Sequence, residues 1–204
     1  MSAGTTDPAP TGESRFKEAV RRFDEANAGG PNVELVEGCF QSKELVYARH
    51  MTGRLDQFKP NAPEPLRLAA RCQHIQRWMI PRIRFDKGRD GYREWRTTLA
   101  SFHAETAGGI LRDVGYADDT VDRVQGLLRK ERLKADPDVQ TLEDVICLVF
   151  LEHYLSDFTT QHNEAKLINI LRKTWRKMSE RGRSVALTLD LEPNLRSLVE
   201  RAVG

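Results

Sequence analysis

Apolar residues recur every three or four positions along most of this chain, the spacing that puts them on one buried face of an α-helix. Val121, Val124, Leu127 and Leu128 follow it, and so do Leu142, Val145, Leu148, Leu151 and Leu155. Sustained alternation of apolar and polar residues, the mark of a half-buried strand, appears nowhere, and no segment repeats. The pattern predicts a first helix over 14–27, capped by Ser14 and ended by Gly29-Gly30-Pro31. Ser42 caps a second helix, which Pro60 and Pro63 terminate. Pro65 opens a third in its first turn, and this helix is expected to run through His74 and Trp78 to Pro81.

A polar connection over 82–91 leads to a long helix over 92–114, with Gly115 as its C-terminal cap. The next helix starts at Asp118 or Asp119, and Asp136-Pro137 marks a turn. The most apolar helix covers 141–157, a cationic one 164–180, and two short helices end the chain. The expectation is all-α: a single-domain helical bundle over residues 14–204 behind a disordered tail over 1–13, whose small polar residues and two prolines cannot build a core.

Composition narrows the classes. The chain has 204 residues, 30% charged and 39% hydrophobic, which suits one soluble domain. Its net charge of +2 excludes a global electrostatic footprint for nucleic acid. No apolar run reaches the ~20 residues of a membrane span. The three cysteines, Cys39, Cys72 and Cys147, form no CxxC pair. The start of the chain has neither the basic nor the apolar part of a secretory signal, so a cytoplasmic protein is expected.

Candidate chemistry lies where ionisable groups sit beside apolar neighbours, because burying such groups unpaired is costly. Glu44, His74, His103 and Asp144 are the candidate catalytic groups. His74 reads as a metal ligand, a general base, an anion contact or a hydrogen-bonded core histidine. His103 shares a helix face with Leu99 and Ala107 and points towards the core. Asp144 shares its stripe with Leu148, Leu151 and Leu155, so it must meet a cation, a metal or several donors, or else serve the helix dipole. Arg71, Arg77, Arg82 and Arg96 fall within one helix–loop–helix unit with Trp78, and Lys130 begins a second basic cluster. Guanidinium groups bind phosphate at two points, so this set, with Tyr47 and Gln73, points to a phosphorylated small molecule.

Lys177-Met178-Ser179 has the letters of a synthetase nucleotide loop but ends a helix, and the chain lacks the βαβ signals of such a catalytic domain. It also contains no P-loop, GxGxxG or HExxH sequence.

Several segments carry a resemblance. Lys43-Glu44-Leu45-Val46-Tyr47, Leu68-Ala69-Ala70-Arg71-Cys72-Gln73-His74-Ile75, Phe102-His103-Ala104-Glu105, Leu142-Glu143-Asp144 and Lys173-Thr174-Trp175-Arg176-Lys177-Met178-Ser179 resemble an uncharacterised bacterial and fungal family. Some of its members are labelled glutamyl-tRNA synthetase. A more distant resemblance is to the HD-domain phosphohydrolases, all-α metal enzymes with a histidine, a His-Asp doublet and a later aspartate. Tyr47 stands where their first histidine is expected, Gln73-His74 replaces the doublet, and Asp144 matches in type. The resemblance implies a divalent-metal site (zinc, manganese or iron) that is lost or rebuilt around His74, His103 and Asp144. Three readings follow: a degenerate HD-like hydrolase or lyase acting on a nucleotide or other phosphorylated small molecule, a non-catalytic anionic-ligand or nucleotide-binding regulatory module, or an RNA-associated protein using Lys166, Arg172, Lys173, Arg176 and Lys177 together with Arg181 and Arg183.

Overall fold

A computed structural model describes residues 12–204; most of the tail expected over 1–13 lies outside them. Helix α1, Gly12–Ala28, already includes Ser14, its expected cap. It buries Ala19, Phe23 and Asn27, each four residues after the last, against α2, Lys43–Phe58, and α3, Glu64–Arg71.

Between α1 and α2 stands an element the sequence pattern did not announce. Strands β1, Val33–Val36, and β2, Cys39–Ser42, pair antiparallel with Val33 opposite Ser42 and Val36 opposite Cys39. Glu37 and Gly38 form the turn at φ 50° and 80°, the left-handed pair that matches the twist of a two-residue hairpin. Leu35 and Phe40 face each other on the hairpin and both are exposed with Val33, while Glu34 lies on the half-buried face, so the alternation in burial is not an alternation in hydrophobicity that could be read.

The third helix also departs from expectation. It ends at Arg71, and the chain continues through turns into two 3₁₀ turns, Arg77–Met79 and Arg82–Arg84. Side chains from elsewhere take the backbone groups that a longer helix would need. Asn27 Oδ1 accepts the Gln76 N–H at 3.0 Å, and His103 Nδ1 donates to the Ile75 carbonyl at 2.8 Å. Gln76 accordingly sits in the left-handed region at φ 48°. Arg71, His74 and Trp78 therefore do not share a helix face.

Helix α4, Arg89–Asp113, closes on Gly115 at φ 89°, with the Tyr116 N–H returning to the Leu111 carbonyl, as the sequence predicts. It packs along α5, Asp118–Arg129. Gly108 permits their approach: a Cβ there would lie 2.3 Å from Gln125 Nε2, which donates to the Ala104 carbonyl. Asp136, expected in a turn, caps α6, Pro137–Val149, by accepting the Asp138 and Val139 N–H groups, an arrangement worth about 1 kcal/mol. The apolar helix expected over 141–157 is α6 followed by a π-helical segment, Phe150–Tyr154, and α7, Leu155–Gln161.

The cationic helix is α8, Glu164–Lys177; Ser179 then caps a separate α9, Glu180–Leu187, and α10, Pro193–Val203, lies against α8. One core, with Met51, Leu55, Leu66, Leu127, Leu142 and Leu148 essentially inaccessible, joins helices from both halves of the chain. The fold is a single all-α domain carrying one small hairpin. Among the described residues no helix is long and apolar enough to cross a membrane. Cys72 and Cys147 are free and buried, and Cys39 is free and exposed.

Candidate functional site: a cationic cleft

Two adjoining cavities of about 430 and 340 Å³ lie between α2, α4, α6, the Lys130 turn and the end of α8. Together they are of the size that binds a small molecule. Their common wall contains Gln73, His74, Arg77 and Arg96, with Lys130, Glu143 and Lys177 facing them. Four cations thus stand against one carboxylate.

Glu143 is 2% exposed and pairs with Lys130 Nζ, and at 3.4 Å with Lys177 Nζ. Burial pushes its carboxyl up, but the two ammonium groups outweigh burial and hold it below its ordinary range. Lys130 reaches it from an unusual backbone. It occupies the left-handed position after α5 at φ 58°, where glycine is the usual occupant, while the Glu131 N–H bonds the Gly126 carbonyl. Burial lowers the Lys130 ammonium pKa, Glu143 opposes that shift, and Arg96 adds to it.

Arg77 is held by neighbours. It donates to His74 Nε2 at 3.2 Å and lies 4.9 Å over the Trp95 ring, whose indole N–H bonds the Ile80 carbonyl. A guanidinium only donates, so His74 Nε2 accepts and its proton sits on Nδ1. Tyr47 stacks on this imidazole with centroids 4.0 Å apart and planes 17° apart. Burial, then the charges of Arg77, His103, Arg96 and Lys130, push the His74 pKa well below its ordinary value. Burial lowers the Arg77 pKa too, with Arg96 next. Among the described residues Arg96 makes no hydrogen bond or ion pair with protein.

His103 borders the smaller cavity, its centroid 5.9 Å from that of His74. A carbonyl only accepts, so the bond to Ile75 puts the proton on Nδ1 and leaves the Nε2 lone pair open. That nitrogen and Gln73 Oε1 are buried without partners among the described residues. Burial lowers the His103 pKa to about 4 against the support of the Ile75 bond. The larger cavity adds an apolar wall of Tyr154, Phe150, Phe158 and Ile146, with Lys43 and Glu44 near the hairpin. Glu44 is buried and accepts from Ser42 Oγ at 3.3 Å.

The cleft therefore gathers Glu44, Tyr47, Gln73, His74, Arg77, Arg96, His103 and Lys130 from the residues singled out in the sequence. Four others lie elsewhere. Arg71 grips Asp24 through Nε at 2.7 Å and Nη2 at 2.5 Å, tying α3 to α1. Arg82 bonds the Phe85 and Asp86 carbonyls and shapes its own turn. Trp78 covers Gly30, where a Cβ would lie 3.0 Å from its ring.

Asp144 faces away from the cavities. Its oxygens accept the Ser179 N–H at 2.8 Å, the Ser179 hydroxyl at 2.5 Å and Gln140 Nε2 at 3.1 Å. Of the fates open to a buried carboxylate, several donors is the one realised. The ligand set His74, His103 and Asp144 is consequently not assembled, and among the described residues no group of three His, Cys, Asp or Glu side chains is placed to hold a metal.

Glu143 is not among the residues singled out in the sequence, and Lys177 is there only as a cation of the RNA-associated reading. The available signal was the mixed stripe Glu143, Ile146, Cys147, Phe150, Tyr154, which lines the cleft beside the wholly apolar stripe of Asp144. The cations of α8 and α9 are also partly committed: Arg172, Arg181 and Arg183 donate to the Ala202, Phe58 and Trp175 carbonyls.

A family model described as a domain of unknown function, DUF4202, matches residues 17–199. The chain belongs to that family. The match takes in nearly all of the helical domain, including every wall of the cleft. No curated protein and no solved structure matches the chain.

Proposed function

We propose that the protein binds a nucleotide or another phosphorylated small molecule in this cleft. One observation carries the reading: Arg77, Arg96, Lys130 and Lys177 converge on the stretch shared by the two cavities, where Glu143 is the only carboxylate among the described residues. Partly buried cations in excess of their counter-charge call for an anion, and two guanidinium groups favour one with several oxygens. The aromatic wall of Tyr47, Tyr154 and Phe150 suits a flat or apolar group attached to that anion.

Isothermal titration at low salt with inorganic phosphate, pyrophosphate and AMP tests this. All three are expected to bind, AMP most tightly, with affinity falling as salt rises. Arg96→Gln is the informative variant, because among the described residues no protein group is paired with Arg96; it should weaken all three ligands at least ~10-fold, the loss of one charged hydrogen bond. Heat from none of the three, or unchanged affinity in Arg96→Gln, would overturn the proposal.

A second reading, hydrolysis or elimination on the bound ligand, is favoured by the open lone pair of a neutral histidine, His103, beside the anion site. The distant HD-domain resemblance supports phosphate as the group acted on. Among the described residues the expected metal ligands His74, His103 and Asp144 do not come together. Turnover of phosphate esters that disappears in His103→Asn would establish catalysis; binding without turnover would leave an anionic-ligand module.

A further inference from the structure

The smaller cavity holds a polar demand that phosphate does not meet. Gln73 Oε1 and His103 Nε2 are both acceptors, both buried, and neither has a donor among the described residues. Gln73 is 5% exposed and His103 3%, so bulk water does not satisfy them. Leaving such atoms unpaired costs about 1–3 kcal/mol each. An unprotonated phosphate oxygen brings only lone pairs and would repel both.

The His103 acceptor is also locked. Nδ1 is committed to the Ile75 carbonyl at 2.8 Å, which sets the tautomer and the ring orientation. Burial together with the charges of Arg77 and Arg96 keeps the ring from taking up a proton that would turn Nε2 into a donor. Gln73 and His103 line the same cavity as Arg77, Arg96 and Lys130. The residues that carry the two acceptors and the anion-binding cations therefore line one cavity.

We infer that Gln73 Oε1 and His103 Nε2 form a hydroxyl-binding subsite, so that the ligand is a phosphate monoester with a free hydroxyl close to its phosphate, as in a sugar or polyol phosphate or the ribose part of a nucleotide. This rests on the phosphate reading above and adds the feature that selects among phosphate esters. A site built to accept a hydroxyl proton discriminates strongly against an analogue lacking it, because the acceptors are then left bare.

The probes are glycerol 3-phosphate and n-propyl phosphate, which share charge and approximate length and differ in hydroxyls. Titration calorimetry on the full chain should show glycerol 3-phosphate binding at least ~10-fold more tightly. In His103→Asn the side-chain amide keeps a donor near the Nδ1 position and deletes the acceptor at Nε2; Gln73→Met removes the other acceptor at similar volume. Each variant should lower the ratio towards one, because glycerol 3-phosphate loses more affinity than n-propyl phosphate, with thermal unfolding confirming the fold. A wild-type ratio near one, as buried water on the two acceptors would give, overturns the subsite but leaves phosphate binding standing. A ratio that survives in both variants also overturns it. Binding of neither ester in the wild type overturns the phosphate reading itself, and the subsite with it.

Discussion

Lys130 reaches Glu143 from a left-handed backbone position, so the ion pair on the cleft wall is made at a conformational cost. A non-glycine residue in this region loses about 1 kcal/mol relative to glycine. Lys130→Ala removes the ion pair and keeps the strain; Lys130→Gly removes both. The glycine variant should therefore be more stable than the alanine variant by about 1 kcal/mol in urea denaturation, while both lose phosphate affinity alike. Equal stability of the two would show that the backbone there is unstrained.

Glu143→Gln tests the balance of charge. The substitution leaves Lys130 and Lys177 facing each other without their counter-ion. Breaking such a buried pair costs about 3 kcal/mol, and the more positive wall should hold phosphate several-fold more tightly. Added phosphate should then restore part of the lost thermal stability. A variant of unchanged stability and weaker phosphate binding would mean that Glu143 contacts the ligand favourably.

Asp144 is expected to matter for the fold and not for the ligand. A Cβ on Gly182 would lie 2.6 Å from Asp144 Oδ1, so Gly182→Ala should destabilise by about 2 kcal/mol. Asp144→Ala should cost about 3 kcal/mol by leaving the Ser179 donors unpaired. The two residues share one contact, so the double variant should lose less than the sum. Full additivity in equilibrium unfolding would refute the close packing of α6 against α9.

Acid should weaken the fold before the carboxylates titrate. Burial lowers the pKa of His103 to about 4 and shifts His74, His50 and His153 in the same direction. The unfolded chain therefore binds protons that the folded chain refuses. Stability is whole above the ordinary histidine pKa of 6.5 and is lost as pH falls from there towards 4, with His103 alone accounting for about 3 kcal/mol. Unfolding free energies measured across that window should fall steeply in the wild type and less steeply in His103→Asn. Parallel slopes would mean that His103 titrates normally.

Helical periodicity and core membership were legible in the sequence because both depend on neighbours three and four residues away. Val121, Val124, Leu127 and Leu128 are buried as that pattern requires, and Gly115 ends α4 by a local backbone preference. His74, His103, Arg77 and Lys130 could be singled out because charge beside apolar sequence is conspicuous. Which of two adjacent carboxylates faces the cleft could not be read, since Glu143 and Asp144 both border apolar stripes of α6. That choice depends on how α6 is rotated against Lys130, thirteen residues before Glu143, and Ser179, thirty-five residues after Asp144.

The end of α3 has the same origin. Residues 72–78 have helical periodicity, but Asn27 and His103 take the backbone groups of Gln76 and Ile75, and two bonds formed across the fold outweigh a local propensity worth tenths of a kcal/mol per residue. The sequence by itself determined an all-α chain and the residue types that an anion site needs. Only the tertiary structure decided which of them meet, because hydrogen bonds and ion pairs between distant segments set the rotation and the ends of each helix.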